Sequence, residues 1–186
     1  MGLIDFVKNV GHKLDLGLHN QQQSRPVNQT SQGQHPQSPA QAAPQGPSQQ
    51  QAAQLQEKQK ETALANLVNQ MGFKVQDLFI DVEGDKVTVK GKVNSQEEKE
   101  KIVLLLGNSE GIGSVDDQLQ VANPEPPAQY YDVKPGDNLS KIAKQLYGDA
   151  NKYHLIFEAN RPMLKNPDAI FPGQKLRIPA EATVHA

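Results

Sequence analysis

The chain has 186 residues, a formal net charge of −2 and no cysteine. The near-neutral charge gives no electrostatic case for binding nucleic acid, and the lack of cysteine excludes disulfides, thiolate catalysis and cysteine-ligated zinc. A chain of this length forms one domain or two small ones.

Residues 1–18 are predicted to form an amphipathic helix, because apolar side chains recur at helical spacing. These side chains belong to Leu3, Phe6, Val7, Val10, Leu14 and Leu18. Polar residues interrupt every apolar stretch that a secretory signal needs, and Phe6 stands where myristoylation requires Ser or Thr. The polar face has too few basic residues for a membrane-surface helix. We therefore expect a cytoplasmic protein without membrane insertion, whose N-terminal helix docks on the folded part of the chain.

Residues 19–54 are dominated by Gln, Pro, Ser, Gly and Ala. Such a segment cannot bury enough apolar surface to offset the entropy that it would lose on ordering. We predict a disordered tether between the N-terminal helix and the first domain.

Residues 55–122 are predicted to form a helix, a hairpin, a second helix and a strand. The run FIDVEGDKVTVKGKV alternates apolar and polar residues around a turn, which is typical of a β-hairpin. Ser95 and Glu98 make a capping pair for the second helix, and Gly107 is placed to end it. The run SVDDQLQV then alternates as a third strand. This order predicts a small α+β domain with two helices on one face of a three-stranded sheet.

The runs VTVKGKVNSQEEKEKI and GIGSVDDQLQV resemble a BON domain, and the resemblance spans about residues 57–122. Members of that family bind other molecules, lipids included in some exported proteins, and they do not catalyse reactions. The resemblance therefore implies a binding module.

After a short spacer at residues 123–128, residues 129–180 predict the order β-α-α-β. The runs YDVKPGDNLSKIAKQLYG, IFEANRP and NPDAIFPGQKLRIP resemble a LysM domain. LysM modules bind glycans that contain N-acetylglucosamine in a groove between the first turn and the loop before the last strand. That implied groove is lined by Gly136, Asp137, Asn138, Leu139, Ile170, Pro172 and Gly173. The same Gly and Pro residues are also explained by the turns alone, so both interpretations stay open.

The complete layout resembles the family of small bacterial cytoplasmic potassium-binding proteins. The runs that carry the resemblance are MGLxxFVK, GIxSVDDQ and IFEANRPMLKNPDAIFPGQKLRIP. It implies a potassium ion as the bound species, with rubidium or caesium as the nearest substitutes. The long Gln/Pro-rich tether departs from the shorter linker of that family.

Potassium is held by several neutral oxygens at once, whereas carboxylate cages favour smaller divalent ions. Helix C-termini present carbonyl oxygens and the negative end of the helix dipole. The run GNSEGIGS follows the second helix and is rich in glycine, and Gly11 weakens the predicted N-terminal helix. The predicted ligands are the backbone oxygens of Val7, Val10, Gly107, Ser109 and Ile112. The alternative is that GNSEGIGS merely ends the helix.

Catalysis is rejected, because the histidines stand apart without metal-ligand spacing and no nucleophile motif is present. These residues are His12, His19, His35, His154 and His185. Asp116 and Asp117 are adjacent on a strand and face opposite sides, so they make no catalytic pair.

Two hypotheses of function follow. In the first, a monomeric potassium sensor or buffer closes its N-terminal helix and both domains around the ion, with the helical face of the LysM-like domain packed on the other. In the second, the protein binds peptidoglycan-type glycans through the LysM-like domain.

Overall fold

The computed structural model describes residues 2–6 and 49–180, which form two sheets packed against helices. The helices are α1 (Gln49–Gln70), α2 (Gln96–Gly107), α3 (Leu139–Tyr147) and α4 (Tyr153–Ala159), with a short 3-10 helix at Ala150–Lys152. The strands are β1 (Gly2–Asp5), β2 (Gln76–Glu83), β3 (Lys86–Ser95), β4 (Ser114–Asn123), β5 (Gln129–Asp132) and β6 (Lys175–Ile178).

The first domain consists of α1, α2 and a four-stranded sheet with the strand order β1-β4-β3-β2. Strands β2 and β3 form an antiparallel hairpin, and β3 pairs in parallel with β4 because α2 crosses between them. Alternate side chains of these strands, such as Val82, Val87 and Val115, are buried against the helices. The predicted helix, hairpin, helix and strand are therefore confirmed in type and order.

The C-terminal half of helix α2 is buried on every side. Its residues from Ile102 to Leu106 are at most 1% exposed. A helix that covers one sheet normally leaves its outer face in water. Here the second domain covers that outer face, since α2 also contacts β6. The Ser95 hydroxyl caps the helix by accepting a hydrogen bond of 3.1 Å from the backbone N–H of Glu98.

The predicted N-terminal helix is wrong for residues 2–5, which form strand β1. This strand pairs antiparallel with the outer edge of β4, from Gly2 opposite Asp117 to Asp5 opposite Ser114. The apolar stripe does not stay together, because Leu3 is 60% exposed while Phe6 is 8% exposed. An open strand edge offers hydrogen-bond partners to the backbone, and a short isolated helix is marginally stable in water. Residues 2–5 therefore form a strand on β4 although their apolar spacing also fits a helix. The sheet has four strands instead of three, and residues 7–18 lie outside the described part.

The predicted tether extends too far towards the first domain, because α1 begins at Gln49, inside the segment 19–54. Residues 49–56 are Gln, Ala and Leu with no Pro or Gly, and they are good helix formers. The first turns of α1 are exposed, so helix propensity and continuity with the packed part of α1 account for them. The rest of the predicted tether lies outside the described residues.

The second domain has the predicted order β-α-α-β. The Asn138 side chain caps α3 by accepting a 2.8 Å hydrogen bond from the backbone N–H of Lys141, and Gly148 ends the helix with a φ of +76°. Strands β5 and β6 pair antiparallel, and Ile142, Ile156 and Leu176 are buried between them and the helices. Within residues 2–6 and 49–180, no helix combines the length and apolar character that crossing a membrane requires.

Candidate functional site

The loop of residues 107–113 joins α2 to β4 and begins as a continuation of the helix. The backbone N–H of Asn108 donates to the carbonyl of Leu104 at 2.9 Å, and that of Ser109 donates to Leu106 at 3.1 Å. The Ser109 hydroxyl donates to the carbonyl of Leu105 at 2.8 Å. The last carbonyls inside α2 are thus satisfied, and Gly107 stands at the negative end of the helix dipole.

The second half of the loop turns back and is fixed to the β2–β3 hairpin. The backbone N–H groups of Gly113 and Ser114 both donate to the carbonyl of Asp85, at 2.8 and 3.3 Å. Ser109 and Ile112 are fully buried. The sequence-predicted residues Gly107, Ser109 and Ile112 therefore lie in one fixed loop.

Phe6 connects the N-terminus to this loop. Its backbone N–H donates to the carbonyl of Gly113 at 2.7 Å. Its ring lies on Gly107 so closely that a Cβ atom at Gly107 would overlap the ring. Gly107 is needed here for close approach, and this role is not visible in the local sequence. The other predicted ligands, Val7 and Val10, lie outside the described residues, but Val7 directly follows Phe6 in the chain.

Lys60 of α1 and Lys175 of β6 bring positive charge near the loop. The Lys175 ammonium lies 5.6 Å from the centroid of the Phe6 ring and pairs with the Asp132 carboxylate at 2.7 Å. Glu110, the single acidic residue of the loop, is exposed. Among residues 2–6 and 49–180, no three His, Cys, Asp or Glu side chains gather in a way that would hold a metal ion. An ion bound at this loop would therefore meet neutral backbone oxygens.

Asn108 attaches the same loop to the second domain. Its side-chain amide donates to the carbonyl of Lys175 at 2.9 Å and accepts from the Lys175 N–H at 3.0 Å. Asn160 makes the equivalent pair of bonds to Arg177, both at 2.8 Å. One edge of β6 pairs with β5, and these two amides occupy the other edge. The role of Asn108 is not visible in the sequence, because its partner is 67 residues away in the chain.

A buried ion pair also joins the domains. Glu100 of α2 contacts the Arg177 guanidinium at 2.7 Å, and the two residues are 2% and 8% exposed. The second oxygen of Glu100 accepts hydrogen bonds from the Gln96 side chain and from the Ala128 N–H. Burial, followed by the negative charge of Glu100, raises the pKa of the Tyr130 hydroxyl. The second domain thus meets α2 through β6, where we expected the helical face of that domain.

The loops predicted to bind glycan lie side by side. The backbone N–H of Val133 donates to the carbonyl of Gln174, and the N–H of Gly173 donates back to Val133 at 2.7 Å. The Asp137 carboxylate accepts hydrogen bonds from the Tyr131 hydroxyl and from the N–H of Lys134, both at 2.9 Å. Of the seven predicted residues, Leu139 belongs to the core and Asn138 caps α3. The set also includes the exposed Gly136 and Pro172 and the partly exposed Ile170 and Gly173.

Comparison with known proteins identifies both domains. Residues 56–123 match the BON domain and residues 131–179 match the LysM domain. The potassium binding protein Kbp of Escherichia coli O6:H1 is 43% identical over 183 residues, which cover 97% of this chain and all of that protein. An uncharacterized protein of Deinococcus radiodurans is 39% identical over 107 residues, or 52% of this chain and 42% of its own. The first domain is a BON domain, the second is a LysM domain, and the chain belongs to the family that contains Kbp.

Proposed function

We propose that this protein binds a potassium ion at the loop of residues 107–113. The ligands are the backbone oxygens of Gly107, Ser109 and Ile112, together with those of Val7 and Val10. The observation that carries the proposal is the contact of Phe6 with Gly107, because it brings the start of the N-terminal segment to the end of α2. The 43% identity to a protein named for potassium binding supports the choice of ion.

The chemistry of the loop favours a large monovalent ion. Carbonyl oxygens carry partial charges, so several of them can replace the weakly held water shell of potassium. Magnesium and calcium bind mainly through carboxylates, which do not cluster in the described part of the chain. The dipole of α2 adds negative potential at Gly107, and this potential favours any cation.

Ion binding is coupled to closure in this proposal. The ligands come from the N-terminal segment and from the BON domain, and Asn108 ties the same loop to LysM. An ion that binds the assembled arrangement more tightly shifts the protein towards it by that difference in affinity. The protein would then act in the cytoplasm as a potassium sensor or buffer, and as a monomer.

Calorimetric titration tests the proposal when ionic strength is held constant with choline chloride. We expect heat and saturation with potassium, rubidium and caesium, and little or none with sodium or magnesium, because the carbonyl arrangement is suited to the larger ions. Equal affinity for sodium and potassium would contradict a carbonyl site, and a preference for magnesium would indicate carboxylate ligands.

Glycan binding by LysM is a second candidate function. On the LysM side, the hydrogen bonds that join it to the BON domain in the described residues use Met163, Lys175 and Arg177, so the seven groove residues take no part in them. A glycan could therefore approach the loops while the domains are joined. Titration with chitin oligomers, with and without potassium, tests this function, and an absence of binding under both conditions would reject it.

A further inference from the structure

Lys60 of α1 lies beside the candidate ion loop. Its ammonium nitrogen is 3.7 Å from the position that a Cβ atom would take on Gly111. Gly111 has a φ of +77° and stands between Ser109 and Ile112, two of the proposed ligand residues. The Lys60 side chain is partly buried, so its charge is held near the loop.

No acidic side chain in the described part of the chain pairs with Lys60. Its neighbours on α1 are Glu57 and Glu61, and both are engaged elsewhere. Glu57 accepts a 3.0 Å hydrogen bond from the N–H of Gly84. Glu61 accepts from the N–H of Val82 and pairs with Lys58 at 2.8 Å. Lys60 is therefore not placed by a surface ion pair.

The loop beside Lys60 follows the C-terminal end of α2, where the helix dipole is negative. The last turn of α2 contains no basic residue. A cation near a helix C-terminus is stabilised by the helix dipole. Here the cation comes from the neighbouring helix α1. Lys60 thus lies beside the loop that follows α2, where the potassium ion is proposed to bind.

We infer that Lys60 is an affinity-setting residue whose ammonium competes electrostatically with the bound ion. This inference rests on the proposed function. Two positive charges near the same helix end repel each other, so each lowers the benefit that the other gains from the dipole. Lys60 therefore weakens potassium binding, and it supports the loop when the ion concentration is low.

The test compares Lys60→Gln with Lys60→Arg, which keeps the charge, and with Lys58→Gln. Lys58 is a matched control because it lies on the same helix with a side chain that is 72% exposed. Potassium affinity is measured by calorimetry at constant ionic strength. The melting temperature Tm is measured in choline chloride and in saturating potassium chloride.

We expect Lys60→Gln to bind potassium roughly three- to ten-fold more tightly, the effect of one screened charge at short range. In choline chloride its Tm should fall by about 1–4 °C, because α2 loses its cation. Saturating potassium should reduce that deficit. Lys60→Arg and Lys58→Gln should bind potassium as the wild type does.

An unchanged or weaker potassium affinity in Lys60→Gln would overturn the inference, because removal of a purely structural side chain does not tighten binding. An equal gain in Lys58→Gln would also overturn it, since the effect would then come from net charge alone. If the wild type binds no potassium, the proposed function fails as well. The wild-type titration thus separates the two failures.

Discussion

At the scale of single residues, the contact between Phe6 and Gly107 is the most constrained feature of the candidate site. Gly107 is buried at the end of α2, and the Phe6 ring occupies the space of its missing side chain. The hydrogen bond from Phe6 to Gly113 fixes the same strand end from the other side of the loop. Only glycine at position 107 allows both contacts together.

Gly107→Ala should therefore displace Phe6 and weaken potassium binding by at least about ten-fold. The added methyl group overlaps the ring, and overpacking of this kind typically costs about 1–3 kcal/mol of stability. Calorimetry measures the affinity, and denaturant unfolding measures the stability. Gly2→Ala is the matched control, because a Cβ at Gly2 meets no atom within 4 Å. Unaltered potassium affinity in Gly107→Ala would show that Phe6 does not position the ligands.

The contacts of Gly107 and Asn108 join residues that are far apart in the chain, so the sequence alone does not reveal them. Carbonyl ligands leave no side-chain signature, so glycine content and a helix end were the available signals. Gly107 was found because glycine commonly ends helices, although close approach of Phe6 also requires it. Asn108 was missed because its amide binds the backbone of Lys175, which only the folded chain brings near.

At the scale of elements, local patterns predicted most of the fold. Alternation in β2 to β4 and the cap at Ser95 reflect forces within a few residues of each other. Strand β1 was missed because Leu3 and Phe6 have a spacing that also fits a helix. The free edge of β4 decides in favour of a strand, and that edge exists only after the sheet has formed.

Removal of the N-terminal segment tests the role of β1 and the residues after it. Deleting residues 1–18 should abolish the response to potassium, because it removes Val7 and Val10 as proposed ligands and Phe6 as their anchor. Both domains should stay folded, since β2, β3 and β4 keep their pairing. Circular dichroism and the NMR spectrum report the fold, and calorimetry reports the binding.

The matched control for this truncation is deletion of residues 21–38, which shortens the chain by the same length outside the proposed site. This variant should bind potassium as the wild type does. Unchanged potassium affinity after deletion of residues 1–18 would move the site away from the N-terminus entirely.

At the scale of the whole molecule, two kinds of polar contact join the BON and LysM domains, besides the packing of Tyr130 and Met163 on the core of the first domain. The Glu100–Arg177 pair is buried and hydrogen-bonded, so losing either partner would leave a buried charge. Asn108 adds a pair of hydrogen bonds from the candidate ion loop itself. The loop thus contacts the N-terminal strand through Gly107 and Gly113 and contacts LysM through Asn108.

This arrangement couples the position of LysM to ion binding at the loop. If the ion orders residues 107–113, it also orders Asn108. The Asn108 amide then forms its two hydrogen bonds with the edge of β6. The short spacer at residues 124–128, between β4 and β5, keeps β6 near the loop even when the bonds to Asn108 are lost.

Asn108→Ala should separate ion binding from closure. The substitution removes both amide bonds to Lys175 and leaves polar backbone groups without a partner, at a cost of about 1–3 kcal/mol. In saturating potassium chloride, small-angle scattering should give a larger radius of gyration for this variant than for the wild type. Asn66→Ala, at an exposed position of α1, should match the wild type. Wild-type compaction in Asn108→Ala at calorimetric saturation would show that LysM closes without this contact, and that the ion loop does not signal through it.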